Sequence, residues 1–313
     1  MELIDHSPPH QKPVFTGFEL IDHRRSKSPG CPTTLTLGNS NFAATWRQRA
    51  SVLILLFGDR NGNLQVALTT RSMKLRTHAG DVALPGGNLS DLRGKLIGVG
   101  RAEKDEDVWT TARREAWEEI GLPENVPPPY TVEHLCRLRP HLSRHHLLVT
   151  PVVAYLSSTS PETHDPNKLV PSLDTEVSSL FSIPFEQFLR SRGVEGGVQD
   201  WRHESRQIRW LGANWIFHDF FATVTALVKP EAVDVGEDSS PVPTEILTRI
   251  WGLTARILVD ACIVGYGRLP DFKHTMDVWD ENKIEAMIKY DPAMGSIIGH
   301  RPEGAVVRQY SKL

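Results

Sequence analysis

The chain has 313 residues, room for one large domain or two modest ones, and 40% of them are hydrophobic, ample for a packed core. With 35 Lys and Arg against 38 Asp and Glu, the formal net charge of -3 gives no global attraction for nucleic acid or an anionic membrane. No apolar run approaches the roughly eighteen residues of a membrane span, MELIDHSPPHQK lacks signal-peptide character, and Cys31, Cys136 and Cys262, odd in number and without a CxxC pair, predict a reduced compartment and no structural zinc.

Residues 1–45 show little periodicity and several breakers, among them Ser7-Pro8-Pro9 and Ser28-Pro29-Gly30, and read as an N-terminal extension. The apolar run in RQRASVLILLFG predicts a buried strand over Val52 to Phe57. Turn residues from Asp59 to Asn63 join it to a second strand, Leu64 to Thr69, as a hairpin. Then comes LTTRSMKLRTHAGDVALPGG, from Leu68 to Gly87. Arg71 and Arg76 are planar forks suited to phosphate oxygens, although two arginines near a strand end are more often surface residues. Gly86 and Gly87 let backbone approach a bound phosphate closely; alone, such a pair marks only a turn. The stretch NLSDLRGKLIGVG that follows predicts a loop beside this region, and its Gly98-x-Gly100 lacks the third glycine and the preceding strand of a dinucleotide fingerprint.

From about Asp107 to Ile120 the pattern predicts a helix, opened by Asp105, Glu106 and Asp107 and stopped by Gly121 and Pro123. Trp109, Ala112, Ala116 and Ile120 form its apolar stripe. Glu115, Glu118 and Glu119 share about a third of its circumference, with no Lys or Arg one turn later to relieve their repulsion. A solvated acidic face is the common fate of such a cluster; a hard divalent cation, Mg²⁺ or Mn²⁺, is the alternative.

The stretch Gly100 to Leu122 resembles the Nudix box: a Gly, five residues, Glu, seven residues, Arg-Glu, an apolar residue, any residue, Glu-Glu, any residue, Gly, apolar. Those positions are Gly100, Glu106, Arg114, Glu115, Ala116, Glu118, Glu119, Gly121 and Leu122. The segment from Leu68 to Gly87 resembles the signature of the coenzyme A diphosphatase branch, through Leu68, Thr69, Arg71, Ser72, Arg76, Gly80, Leu84, Pro85, Gly86 and Gly87. Two departures stand out. Ala67 sits where the branch usually has Leu, and Gly87 is separated from Gly100 where most Nudix proteins use one glycine for both motifs. Gly87 therefore competes with Gly100 for the structural role, and Glu106 is the least anchored residue of the box.

Thr131 to Leu138 and Leu147 to Leu156 read as strands, and His141, His145 and His146 fall in the loop between them, predicted to be solvated. LLVTPVVAYL and EVSSLFSIPFEQFL again look like the diphosphatase branch. Arg190 to Arg206 is Gly-rich and charged and predicts a surface excursion; Gln207 to Trp210 and Asn214 to His218 predict short strands or a hairpin. Lys229 to Pro243 reads as a loop, and Glu245 to Gly265 as one long helix that the family uses to close its fold, with Trp251 and Arg256 packing the core. A modest helix near Val278 to Ile288 lies in the remainder, and Ser311-Lys312-Leu313 matches a receptor-read peroxisomal address.

The resemblance implies an α/β fold, the Nudix α/β/α sandwich with a mixed β-sheet flanked by helices, over residues 46–266, between the extensions 1–45 and 267–313. It implies an enzyme that hydrolyses coenzyme A or acyl-CoA to adenosine 3′,5′-bisphosphate and 4′-phosphopantetheine or its acyl form. Glu115, Glu118 and Glu119 would hold Mg²⁺ or Mn²⁺, Arg114 would position a glutamate, and Arg71, Arg76, Gly86 and Gly87 would bind substrate. One of the helix glutamates or Glu176 would accept the proton of the attacking water. The import receptor is the partner expected of a peroxisomal protein, and neither nucleic acid nor membrane is one. Two other readings remain: a Nudix diphosphatase acting on oxidised or ordinary nucleoside triphosphates or dinucleotides, and a non-catalytic module binding a nucleotide or a protein.

Overall fold

Apolar residues on both sides of the strand that begins at Arg49 require cover on both faces, and the fold supplies it. The computed structural model describes residues 49–59, 62–89, 107–143, 147–159, 173–194, 197–210, 213–229 and 241–275. Its strands are β1 (Arg49–Gly58), β2 (Leu64–Arg71), β3 (Val82–Ala83), β4 (Gly86–Asn88), β5 (Tyr130–Arg137), β6 (His141–Leu142), β7 (Leu148–Ser158), β8 (Val177–Pro184), β9 (Gln199–Trp210), β10 (Ala213–Val228) and β11 (Val242–Trp251). Helices α1 (Val108–Ile120) and α2 (Gly252–Tyr266) and a 3₁₀ turn (Phe185–Leu189) complete the described elements.

The strands form one sheet in the order β11-β10-β8-β2-β1-β7-β5, with β3 beside β2, β4 beside β1, β6 beside β7 and β9 beside β10. Among the described strands only β1 and β7 run parallel, from Arg49 against Leu148 to Phe57 against Leu156. On its other edge β1 pairs with β2 through Leu56 to Gly58 and with β4 through Ala50 to Val52. The hairpin thus forks, and the chain carrying Pro85, Gly86 and Gly87 enters the fork; Leu53 N–H donates to Pro85 O at 2.8 Å.

Alternation along β1 divides the core. Leu53, Leu55 and Phe57 face α1, with Ala112, Ala116, Ile120 and Leu122, while Ile54 and Leu56 face the larger cluster with Leu258, Val259 and Cys262 of α2. Each fully buried Leu or Ile contributes about 1.5–3 kcal/mol. The layers are α1, sheet and α2, an α/β sandwich with a mixed sheet.

Helix α1 begins and ends where its sequence directs. The Asp107 carboxylate accepts from Trp109 N–H at 2.9 Å and Thr110 N–H at 3.1 Å, and the Thr110 hydroxyl adds a third bond at 2.6 Å. Burial opposes ionisation of Asp107, but these bonds hold its carboxyl below the usual value. At the other end Gly121 is left-handed, at φ 68°, and Leu122 N–H closes onto Ala116 O.

Three expectations need correction. The Arg190 to Arg206 stretch is no excursion, because most of β9 lies within it: Trp201 and His203 point inward and Arg202 and Glu204 outward. The inward side is aromatic rather than aliphatic, which hides the alternation. Glu245 to Gly265 is not one helix either. Residues up to Trp251 are strand β11, and Gly252, at φ 63°, turns the chain into α2. Ile246, Leu247 and Ile250 fit helical spacing, but pairing with β10 over ten residues decides the outcome. His141, finally, is not solvated; it is 2% exposed in β6. His145, His146, the region 90–106 with Gly100 and Glu106, both chain ends and the helix expected near Val278 lie outside the described residues. Packing continues past residue 266: Asp271 N–H donates to Leu189 O, and its carboxylate accepts from Ser191 N–H at 2.7 Å.

Candidate active site

The fork in the β1–β2 hairpin and the edge of α1 converge on one place. Gly86 is pressed against β1, where a Cβ would meet Ser51 O and lie 2.6 Å from Val52 Cα. A Cβ on Gly87 would fall inside 3.0 Å of the Glu115 carboxylate. The two glycines therefore bring bare backbone to the helix glutamates, and Gly86 N–H donates to Glu119 Oε2 at 3.1 Å. Ser51, which the sequence did not single out, locks the junction. Its fully buried hydroxyl lies 2.6 Å from Val108 O and 3.1 Å from Thr150 O, tying the first turn of α1 to β1 and β7.

The three helix glutamates occupy different environments. Glu119 is buried, and its carboxyl is pushed up to about 8, first by burial and then by Glu115 and Glu176; Gly86 N–H and Arg71 oppose the rise. Glu115 and Glu118 share Arg114, whose Nη1 lies 2.9 Å from Glu115 Oε1 and 2.9 Å from Glu118 Oε2. Arg114 Nη2 also donates to Asn88 O at 3.4 Å, so one guanidinium spans two glutamates and the end of β4.

The loop after β2 completes the surroundings. Arg71 N–H donates to Asp81 O and Gly80 N–H to Arg71 O, closing the loop at its neck, while Ser72 N–H donates to Glu176 O at 2.8 Å. That bond brings the Glu176 segment beside Arg71, and both charges act on Glu119. Among the described residues, Arg71 Nε is buried and finds no hydrogen-bond partner. Arg76 is exposed on the same loop, away from the packed neck. The structure thus gathers Glu115, Glu119, Arg114, Gly86, Gly87 and Arg71, adds Glu176, and places Glu118 and Arg76 toward solvent.

Among the described residues the donors here are carboxylate oxygens with no His or Cys, the set a hard divalent cation prefers. Among the described residues no three acidic, His or Cys side chains already close around one point. Even so, Glu115 and Glu176 both disfavour an ionised Glu119, a repulsion a cation would relieve, so the residues present fit such an ion.

Residues 47–201 match the NUDIX domain. Nudix hydrolase 22 of Arabidopsis thaliana, described as chloroplastic, is 37% identical over 225 residues, 72% of this chain and 58% of its own length. The chain spans 58% and 61% of the lengths of the first two plant relatives. Peroxisomal coenzyme A diphosphatase 1 of Saccharomyces cerevisiae is 29% identical over 279 residues, 80% of this chain and 78% of that protein. The Nudix hydrolase NudL of Citrobacter koseri is 31% identical over 191 residues, 61% of this chain and 84% of its own. With the NUDIX domain matched and the Citrobacter koseri Nudix hydrolase 31% identical over 84% of its own length, the chain belongs to the Nudix hydrolase family.

Proposed function

We propose that the protein hydrolyses the diphosphate of coenzyme A or acyl-CoA, releasing adenosine 3′,5′-bisphosphate and 4′-phosphopantetheine or its acyl form. The observation that carries this reading is the position of the Leu68 to Gly87 segment. Its two ends, Arg71 with an unpartnered buried Nε and Gly86-Gly87, flank Glu119 and Glu115. The relation to the yeast coenzyme A diphosphatase supports the same substrate.

Glu115 and Glu119, with Glu118 on the outer flank, would hold Mg²⁺ or Mn²⁺, which when bound offsets diphosphate charge and acidifies a water. Arg71 binds a diphosphate oxygen, and Arg76 reaches the substrate from the loop. Arg114 keeps Glu115 and Glu118 in place. Glu176, held through its own carbonyl by Ser72, takes the proton from the attacking water. The test is turnover of the purified full chain with Mg²⁺ or Mn²⁺ on coenzyme A, acyl-CoA, nucleoside triphosphates and ADP-ribose. Faster turnover of a nucleoside triphosphate than of either coenzyme A form would overturn the substrate.

We also place the enzyme in the peroxisome, as the yeast relative's name describes that protein, with Ser311-Lys312-Leu313 read by the import receptor. A fluorescent protein fused ahead of the chain should mark peroxisomes, and deleting Ser311 to Leu313 should return it to the cytosol. A diffuse signal from the intact fusion would refute this location.

A further inference from the structure

Beyond the site, β9, β10 and β11 carry a second face. Along β10, Phe220, Ala222, Val224 and Ala226 are buried in the α2 core. The alternate residues Asp219, Phe221, Thr223 and Thr225 project the other way, the side on which Leu227 packs beneath α1. Helix α1 packs on β1, β4, β7 and β8, so this part of the sheet continues past it.

The register sets Arg202, Phe221 and Arg249 side by side across three strands, with Trp251 opposite Asp219. The Arg202 guanidinium lies 3.9 Å over the Phe221 ring; that of Arg249 lies 5.9 Å from the same ring and 5.0 Å from Trp251. Asp219 is nearly buried and holds Arg249 through Nε at 2.9 Å and through Nη2, with Arg206 at 3.6 Å. Glu204 lies 3.4 Å from Arg202 Nε. The Arg202 and Arg249 side chains nevertheless keep 58% and 45% of their surface exposed. Trp251 joins this face to the site: its Nε1–H donates to Asp81 Oδ1 at 3.1 Å, and Asp81 O accepts from Arg71 N–H at 2.9 Å.

Guanidinium and indole planes accept a stacked purine, and guanidinium edges bind phosphate. A ligand that is both flat and anionic matches this surface. We infer that Arg202, Phe221, Arg249 and Trp251 bind the phosphorylated adenosine end of the substrate, with its diphosphate at Arg71. The inference rests on coenzyme A as the substrate for its occupant, but not for its test.

Adenosine 3′,5′-bisphosphate is titrated calorimetrically into wild type, Arg202→Gln and Arg249→Gln. Kinetics on coenzyme A and dephospho-coenzyme A are measured in parallel. Loss of a charge-assisted contact should weaken bisphosphate binding about tenfold or more in each variant. KM for coenzyme A should rise similarly, with kcat within about twofold and a smaller effect on dephospho-coenzyme A. Arg202, more exposed and outside the Asp219 pairing, serves if Arg249→Gln fails to fold. Wild-type binding in folded Arg202→Gln, with KM unchanged, overturns the inference even if coenzyme A is hydrolysed. If coenzyme A is not hydrolysed but bisphosphate binding still depends on these arginines, the proposed reaction falls and the surface stands.

Discussion

Gly86 and Gly87 differ in what an added methyl group would strike. At Gly86 it meets backbone, Ser51 O and Val52 Cα, which cannot move without opening β1. At Gly87 it meets the far end of the flexible Glu115 side chain, which can give way more readily than backbone. Gly86→Ala should therefore lower stability by about 1–3 kcal/mol, as overpacking does, whereas Gly87→Ala should melt near wild type but lose about tenfold or more in kcat/KM. Equal melting temperatures for the two would contradict this division of roles. Glu119 poses the converse case, a buried carboxylate crowded by Glu115 and Glu176. Glu119→Gln keeps an acceptor for Gly86 N–H and removes the charge. It should be at least as stable as wild type while losing on the order of a hundredfold in turnover. Glu115→Gln should lose a similar factor. Near-normal turnover at saturating metal would exclude that glutamate from the site.

Among the elements, α1 was the most legible because every local signal agreed. Asp107 satisfies the N-terminal amides, the apolar stripe fixes one face, and Gly121 supplies the left-handed stop. Asp107→Ala should cost about 0.5–2 kcal/mol, read as a lower denaturation midpoint. An unchanged midpoint would show that tertiary packing alone sets the start of α1. The β1–β2 hairpin and β5 and β7 were equally readable, their apolar runs bounded by turns. Legibility failed where partners distant in sequence decide. Val242 to Trp251 becomes a strand only because β10 is there to pair with, and β9 hides its inner face behind Trp201 and His203. At the site, the motif named the glutamates, but their different environments follow from the entry of Pro85 to Gly87 into the fork. Ser51 carried no signal in the sequence, since a lone serine in an apolar strand reads as an ordinary small residue.

Across the whole molecule, one buried chain of hydrogen bonds links segments far apart in sequence. Asp260 of α2 lies 2.9 Å from His141 Nε2 in β6 and 2.6 Å from His274 Nε2 beyond α2. His274 Nδ1 lies 2.9 Å from His218 Nε2, and His218 Nδ1 lies 3.0 Å from His203 Nε2. With His203, His218 and His274 neutral, each donates through Nε2 toward Asp260, and every junction has one donor and one acceptor. A further proton on His218 would set two N–H groups against each other at its contact with His203. Burial pushes His203 down to about 4, and burial with His274 and His203 nearby pushes His218 down to about 3. An unfolded histidine titrates near 6.5, so above that pH both states are neutral and these residues add no pH dependence. Below it the unfolded chain binds protons that the folded chain resists, and stability falls as pH drops from about 6.5 toward 4. The slope is at most about 1.4 kcal/mol per pH unit for His218. Asp260 is held well below the usual carboxylate range, against its burial, by His141, His274 and Arg256, so its contribution persists until more acidic pH. The raised Glu119 carboxyl titrates with the opposite sign, so in a Glu119→Gln background, which removes that opposing term, urea midpoints of the full chain should fall between pH 6.5 and 5.5, before most carboxylates titrate. His203→Gln, which retains a donor for His218 Nδ1 and does not titrate, should fall less steeply. A flat Glu119→Gln profile across that interval, or equal slopes with and without His203→Gln in that background, would show that these histidines do not set the acid sensitivity of the fold.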